Sequence, residues 1–265
     1  MNNSTDTLTD SPMASRTDPP PGSVTEPPTA AESRHVVIEP SILYFGTPVV
    51  LLTTENDDGS VNLAPISSAW ALGQVVVLGL GADGQTAHNL SAGPGPRREL
   101  VISLPAPDQW PAVERLAPLT GRDPVPASKP PACRFEPDKF GASGFTPTPS
   151  HLVGPPRVAE CPLQLEAYAD RVQPDVSGRF LIVEAVVRKV HAAPDIVVPG
   201  TDHIDPAAWS PLIYNFRHYF GLGPERGHTY RSETAAMTAA AGGSCRARPG
   251  GAYVQGQGGT TPRRR

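Results

Sequence analysis

Cysteine is scarce in this chain: Cys133, Cys161 and Cys245 are three in number and far apart. An odd, scattered set builds neither a disulfide framework nor a paired-cysteine metal site within one chain, so these read as ordinary thiols of a reducing compartment. Positive charge is short as well. The 22 Lys and Arg stand against 26 Asp and Glu, for a net charge of -4 and a pI near 6.0, which gives no electrostatic case for nucleic acid or an anionic membrane as partner. No apolar run approaches the ~18 residues of a membrane span, and the N-terminus lacks the basic and apolar regions of a signal peptide. A cytoplasmic location is therefore expected. Missing too are a Gly-x-Gly-x-x-Gly turn after a strand, a phosphate loop, a Gly-x-Ser-x-Gly elbow and a His-Glu-x-x-His helix. The histidines are scattered singly, and Asp202, His203 and Asp205 read as a solvated turn in preference to a metal site.

Proline is abundant instead, 33 of 265 residues, about 12% against a usual ~5%. Residues 1–34 hold Ser, Thr, Pro, Asp and Ala with almost no large apolar side chain, and residues 233–265 repeat the bias with Ala, Gly, Thr and Gln. Neither buries enough surface to offset the entropy of ordering, so both read as disordered tails. The second has a basic end, Arg263, Arg264 and Arg265, which reads as solvated. Hydrophobic residues make up 38% of the chain, and about 47% with glycine, inside the globular range of ~45–50%. One folded domain over residues 35–232 is expected.

Within that domain the strongest periodicity is two residues. Thr47 to Thr54 is an apolar, β-branched run closed by the turn Asn56-Asp57-Asp58-Gly59, Val75 to Leu80 is a second, and Arg98 to Leu104 a third. Leu163, Leu165, Ala167 and Ala169 alternate with polar residues, and after Pro174 to Gly178 follows Phe180 to Val190, so the pair predicts a long hairpin. Short helices are predicted from about Thr86 to Ser91 and from Asp108, as N-cap, through Trp110, Val113, Leu116 and Leu119. A mainly β fold with a few short helices points to an antiparallel barrel. The stretch Pro124 to Pro156, with Phe135, Phe140 and Phe145, is too long for a turn and too apolar for a free linker. It reads as an ordered excursion packed on the barrel or on a second subunit.

Two small polar segments flank the strand at Val75 to Leu80: Asn62 to Trp70, and Gln85 to Leu90. Amides, hydroxyls and a carboxamide close together suit a planar heteroaromatic ring, and Thr86 at a helix start suits a phosphate because first-turn N–H groups are free. The first segment also reads as a turn leading into a strand, and the second as a simple N-cap.

The order of Pro48 to Thr54, Asp58-Gly59, Asn62-x-Ala64-Pro65-x-Ser67, Val75 to Gly79, Thr86-x-x-Asn89-Leu90 and Glu99 to Leu104 resembles the flavin reductase-like family of FMN-binding split β-barrels. The resemblance continues through Asp138-Lys139-Phe140, Pro155-Pro156 and Glu160-Cys161-Pro162 to Pro211-Leu212-Ile213-Tyr214 and Tyr219-Phe220-x-Leu222-Gly223. It implies that Asn62, Ala64, Pro65, Ile66, Ser67 and Ser68 lie along the isoalloxazine, and that the turn carrying Thr86, Asn89 and Leu90 holds the ribityl phosphate. Gln85 stands where many members have Lys or Arg, which leaves Arg97, Arg98 or a partner chain to supply the phosphate's counter-charge. Gly178-Arg179-Phe180 replaces the Gly-Asp-His turn associated with nicotinamide binding.

What the resemblance implies is an FMN-binding oxidoreductase that passes hydride from NAD(P)H to flavin with no catalytic side chain of its own. FAD, or free flavin as substrate, are the alternatives to bound FMN. Other activities on the same barrel are an FMN oxidoreductase of another substrate, a non-catalytic electron carrier or an interaction module. A homodimer is expected through the excursion's phenylalanines, with an oxygenase as a further partner and neither nucleic acid nor membrane.

Overall fold

The computed structural model describes residues 35–91 and 98–230; both expected tails, and Arg97, lie outside the described residues. The chain divides into two units, Met1–Ser41 and Ile42–Arg265. Of the first, residues 35–41 are described and carry no helix or strand. In chain order the second holds β1 (Phe45–Pro48), β2 (Val50–Glu55), β3 (Val61–Ile66), β4 (Ala69–Leu72), β5 (Val75–Gly81), α1 (Gln85–Ser91), β6 (Arg98–Leu104) and α2 (Trp110–Leu116). There follow β7 (Leu119–Thr120), β8 (Arg134–Phe135), α3 (Lys139–Ser143), β9 (Pro147–Thr148), β10 (Arg157–Val158), β11 (Leu163–Pro174), β12 (Phe180–Ala192), β13 (Ile213–Asn215) and β14 (His218–Phe220). None of the described helices is long and apolar enough to cross a membrane.

The main sheet has seven strands in the order β3-β2-β6-β11-β12-β5-β4, with every neighbouring pair antiparallel. β3 and β4 occupy opposite edges, yet only Ser67 and Ser68 separate them in the chain. A link of that length spans about 10 Å, so the sheet must curl until its edges come near each other. The Gly79 N–H of β5 donates to the Ser68 carbonyl at 2.8 Å. The fold is an antiparallel split β-barrel with a few short helices, as the periodicity and the resemblance implied.

Alternation places the core. In β5, Val76, Leu78 and Leu80 turn inward and meet Val50, Leu52, Leu100, Ile102 and Val183 inside the barrel. β2 is buried on both faces, which explains its unbroken apolar run: Val50 and Leu52 face the barrel interior, while Leu51 faces a second cluster with Leu63, Val113, Leu116, Phe140 and Phe145. The long hairpin of β11 and β12 matches its sequence pattern, paired from Leu163↔Ala192 to Pro174↔Leu181.

Three expectations change. The run from Thr47 to Thr54 is two strands, because the Val49 N–H turns away to the Leu212 carbonyl at 2.8 Å. Asp108 is not an N-cap: Pro107–Gln109 form a 3₁₀ turn, α2 starts at Trp110, and Gln109 accepts from the Ala106 N–H at 2.8 Å. Leu119 belongs to β7. Finally, the excursion is ordered and packs on its own barrel, with Phe140 and Phe145 only 9% and 5% exposed, so these rings are not free to anchor a second subunit. Phe135 alone of the three is exposed.

Candidate functional site

A cleft of about 590 Å³ opens where β3, the Ser67–Ser68 crossover, β5 and the start of α1 meet the excursion. Ala64, Pro65, Ile66, Ser67 and Ser68 all line it, and so do Asn62 and Thr86. Pro65, lacking an N–H, is tolerated because β3 is an edge strand of the sheet. The crossover lies close against β5: a Cβ on Gly79 would come within 2.9 Å of the Ser68 Cβ.

Asn62 is the hub of the polar end. It is 2% exposed, its Nδ2 donates to Thr86 Oγ1 at 2.9 Å, and its Oδ1 accepts from Lys139 Nζ at 2.9 Å. Lys139 opens α3, whose N-terminus is capped by Asp138 accepting from the Gly141 N–H at 2.9 Å. Its side chain is only 4% exposed, and the hydrogen-bond partner it has among the described residues is this neutral amide oxygen. Burial pushes the ammonium down to about 8, Lys129 acts in the same direction, and Glu136 opposes them. Lys129 also lines the cleft, and among the described residues these two lysines are the only charged ones in its wall. Gly121 backs the hub so closely that a Cβ there would stand 2.7 Å from Asn62 Oδ1.

The opposite end is aromatic. Tyr44 meets Tyr214 edge-on at 5.6 Å between ring centres, and Tyr214 meets Tyr219 at 5.6 Å. All three line the cleft together with Phe180 and Ile182. Ser68 Oγ donates to the Tyr44 hydroxyl at 3.1 Å, and the Tyr219 hydroxyl donates to Glu114 at 2.9 Å. Burial and that hydrogen bond push the Tyr219 phenol above its usual range, so it stays a neutral donor.

Two expected residues lie elsewhere. Asn89 points away from the cleft, donating to Thr54 Oγ1 and Asn56 Oδ1 at 2.9 Å each and accepting from Gln85 Nε2 at 2.7 Å. Leu90 is 1% exposed and packs inside the barrel. The reason is helical geometry: one turn of α1 separates Thr86 at the cleft from the residues that close the barrel. Arg98 reaches the Ser91 carbonyl and does not line the cleft. The cationic side chains that do line the cleft belong to the excursion, Lys129 and Lys139. Lys139 carries no local sequence signal of a role at the cleft, since 77 residues separate it from Asn62.

A family model described as the flavin reductase like domain matches residues 42–223. The chain is 45% identical over 199 residues to the uncharacterized protein YdfE of Bacillus subtilis (strain 168), covering 74% of this chain and 94% of that one. Among solved structures, the flavoredoxin of Desulfovibrio vulgaris (Miyazaki F) aligns over 75% of this chain and 98% of its own with a TM-score of 0.59 at 18% identity. Nitrilotriacetate monooxygenase component B from Bacillus cereus aligns over 71% and 89% at a TM-score of 0.55 and 18% identity. The 2-nitrobenzoate 2-nitroreductase of Pseudomonas fluorescens aligns over 73% and 88% at a TM-score of 0.56 and 16% identity. At these identities the three share the fold.

Proposed function

Since the chain belongs to the flavin reductase-like domain family, we propose that it is a flavin-dependent oxidoreductase that holds FMN in this cleft and takes electrons from NAD(P)H. The observation that carries the reading is Lys139: a buried ammonium whose partner is a neutral amide is costly, and an anion beside it removes the cost. A phosphate monoester carries about -1.5 to -2 at pH 7, which matches two lysines in a wall with no acidic residue among the described residues. The cavity volume falls within the ~300–1,000 Å³ usual for cofactor sites.

In that reading Lys139 and Lys129 hold the phosphate. Asn62 fixes the direction of the ammonium, and Thr86 fixes Asn62 by accepting its second hydrogen bond. Pro65 to Ser68 line the ring system, and the Tyr44, Tyr214 and Phe180 rings exclude water from the same space. Bound FMN supplies hydride acceptance and onward electron transfer, chemistry that amino-acid side chains lack. The protein's part is orientation and a fixed electrostatic surround.

A homodimer is part of the proposal, on a different surface from the excursion. The outer faces of β4 and β12 expose Trp70, Leu72 and Ile182, beside the Arg171–Glu184 pair at 3.7 Å. One cation and one anion on an apolar face are self-complementary under a two-fold axis. Ile182 and Phe180 belong to the cleft wall as well, so a second copy there would close the cleft's rim.

A second reading, an electron carrier without steady-state turnover, is favoured by the β11–β12 turn. Arg179 there lies 6.0 Å from the Phe180 ring centre where a Gly-Asp-His turn is absent. NAD(P)H consumption by the FMN-loaded protein separates the two: many nicotinamides oxidised per flavin supports the reductase, one per flavin supports the carrier. A protein that neither co-elutes with FMN nor shows the two-banded visible spectrum of a flavin refutes both.

A further inference from the structure

Residues 123–132, between β7 and β8, form a proline-rich strap with Pro124, Pro126, Pro130 and Pro131. None of them is buried, so no core packing sets the strap's path. Its backbone hydrogen bonds stay within the strap and its end: the Lys129 N–H donates to the Pro126 carbonyl at 3.0 Å, and the Cys133 N–H to the Pro130 carbonyl at 2.9 Å. Among the described residues, the hydrogen bond that ties the strap to the barrel is the one from Ser128 Oγ to the Asp83 carboxylate. Asp83 stands on a fixed base. It lies in the turn between β5 and α1, where the Ala82 N–H donates to the Arg179 carbonyl and the Gly84 N–H to the Gly81 carbonyl, both at 3.0 Å. Gly81 and Gly84 line the cleft, and so does Lys129, the residue after Ser128.

We propose that Asp83 is a positioning residue for the cleft: by holding Ser128 it keeps Lys129 in the wall beside Lys139. The inference rests on the functional reading above, in which the two lysines hold a phosphate, and adds what sets the second charge in place. The two ammonium groups repel each other, since Lys129 makes Lys139 give up its proton more readily. An exposed strap that carries one of them turns toward water unless something restrains it. Its prolines fix φ at four positions and stiffen it, so a single tether next to Lys129 is enough to choose the direction of that side chain. A site whose charges are gathered beforehand binds more tightly than one that must gather them on binding.

The test is titration of the full chain with FMN and riboflavin, in the natural protein, Asp83→Ala, Ser128→Ala, Lys129→Met and Asp83→Ala combined with Lys129→Met. An NMR titration of the Lys139 ammonium without flavin accompanies it. Loss of one exposed hydrogen bond should weaken FMN roughly 3-fold to 10-fold in Asp83→Ala and in Ser128→Ala alike, while riboflavin, without a phosphate, changes little. Asp83→Asn keeps an oxygen that accepts from Ser128 and should restore FMN binding. In the Lys129→Met background Asp83→Ala should add nothing, because the side chain it positions is gone. Without flavin, Lys139 in Asp83→Ala should keep its proton to a higher pH than its present value of about 8, as Lys129 leaves its side. Unchanged FMN affinity in Asp83→Ala, equal weakening of FMN and riboflavin, an effect that persists without Lys129, or an unmoved Lys139 titration overturns the inference and leaves the FMN reading standing. A natural protein that binds neither flavin overturns that reading, and this inference with it.

Discussion

Replacing Lys139 by Met separates folding from binding. In the ligand-free protein the ammonium's drop from 10.5 to about 8 is equivalent to roughly 3 kcal/mol of penalty at neutral pH, at about 1.4 kcal/mol per unit. Met has a similar length and no charge, so Lys139→Met relieves that penalty. It also strands Asn62 Oδ1, which costs about 1–3 kcal/mol. The variant should therefore be as stable as the natural protein at pH 7 or up to about 2 kcal/mol more stable. Sign matters at higher pH. Between about 8 and 10.5 the unfolded chain holds a proton on Lys139 that the folded chain does not, so this residue's contribution makes the natural protein's stability rise with pH there. The variant lacks that rise, and its advantage shrinks across the window.

Binding runs the other way. Removing one partner of a desolvated charge pair costs about 2–5 kcal/mol, so FMN affinity should fall at least about 30-fold while riboflavin, without a phosphate, changes little. Denaturant melts without ligand at pH 7 and pH 9.5, and fluorescence titrations with both flavins, measure the two effects. A variant that is destabilised by more than about 1 kcal/mol and binds FMN as before would show that Lys139 is a structural residue, and would remove the main support for the phosphate site.

Gly79→Ala sets a methyl 2.9 Å from the Ser68 Cβ; overpacking of this kind costs about 1–3 kcal/mol, and a displaced crossover should weaken FMN and riboflavin alike in the same titrations. Glu166 is fully buried; desolvation raises its carboxyl, but the His151 and Leu152 N–H groups and His191 outweigh this and hold it below its ordinary value. Its contribution is present above pH 4.5 and is lost as pH falls below that value, so Glu166→Gln should flatten the acid limb of the stability curve, and an unchanged limb would argue against the assignment. Trp70→Asp places a charge on the outer sheet face and should shift sedimentation from dimer to monomer; a monomeric natural protein would dispose of that interface.

Much of the local structure was legible in the chain because it is written in nearest neighbours. Alternation in Val75 to Leu80 and in Leu163 to Ala169 depends on a pleat that repeats every two residues, and β5 and β11 lie where those patterns are. The segment from Asn62 to Ser68 stands out by composition and by resemblance, and all of it but Leu63, which is buried in the second cluster, lines the cleft. Competing local signals misled in proportion to their brevity. Asp108 has the chemistry of a cap, but Pro107 and Pro111 on either side shift the helix start to Trp110. Asn89 has the chemistry of a phosphate ligand, but three residues of rise along α1, about 4.5 Å, carry it past Thr86 to Thr54 and Asn56.

Tertiary structure alone decided the charge of the site. Lys139 and Asn62 are 77 residues apart, and neither hydropathy nor spacing links them; the link exists because Phe140 and Phe145 bury themselves against Leu63 and α2 and carry the lysine with them. Proline-rich sequence looks the same whether it wraps its own barrel or a neighbour's, since both bury the same rings. The choice between them depends on the shape of the second cluster's surface, which β2, β3 and α2 build together from distant parts of the chain.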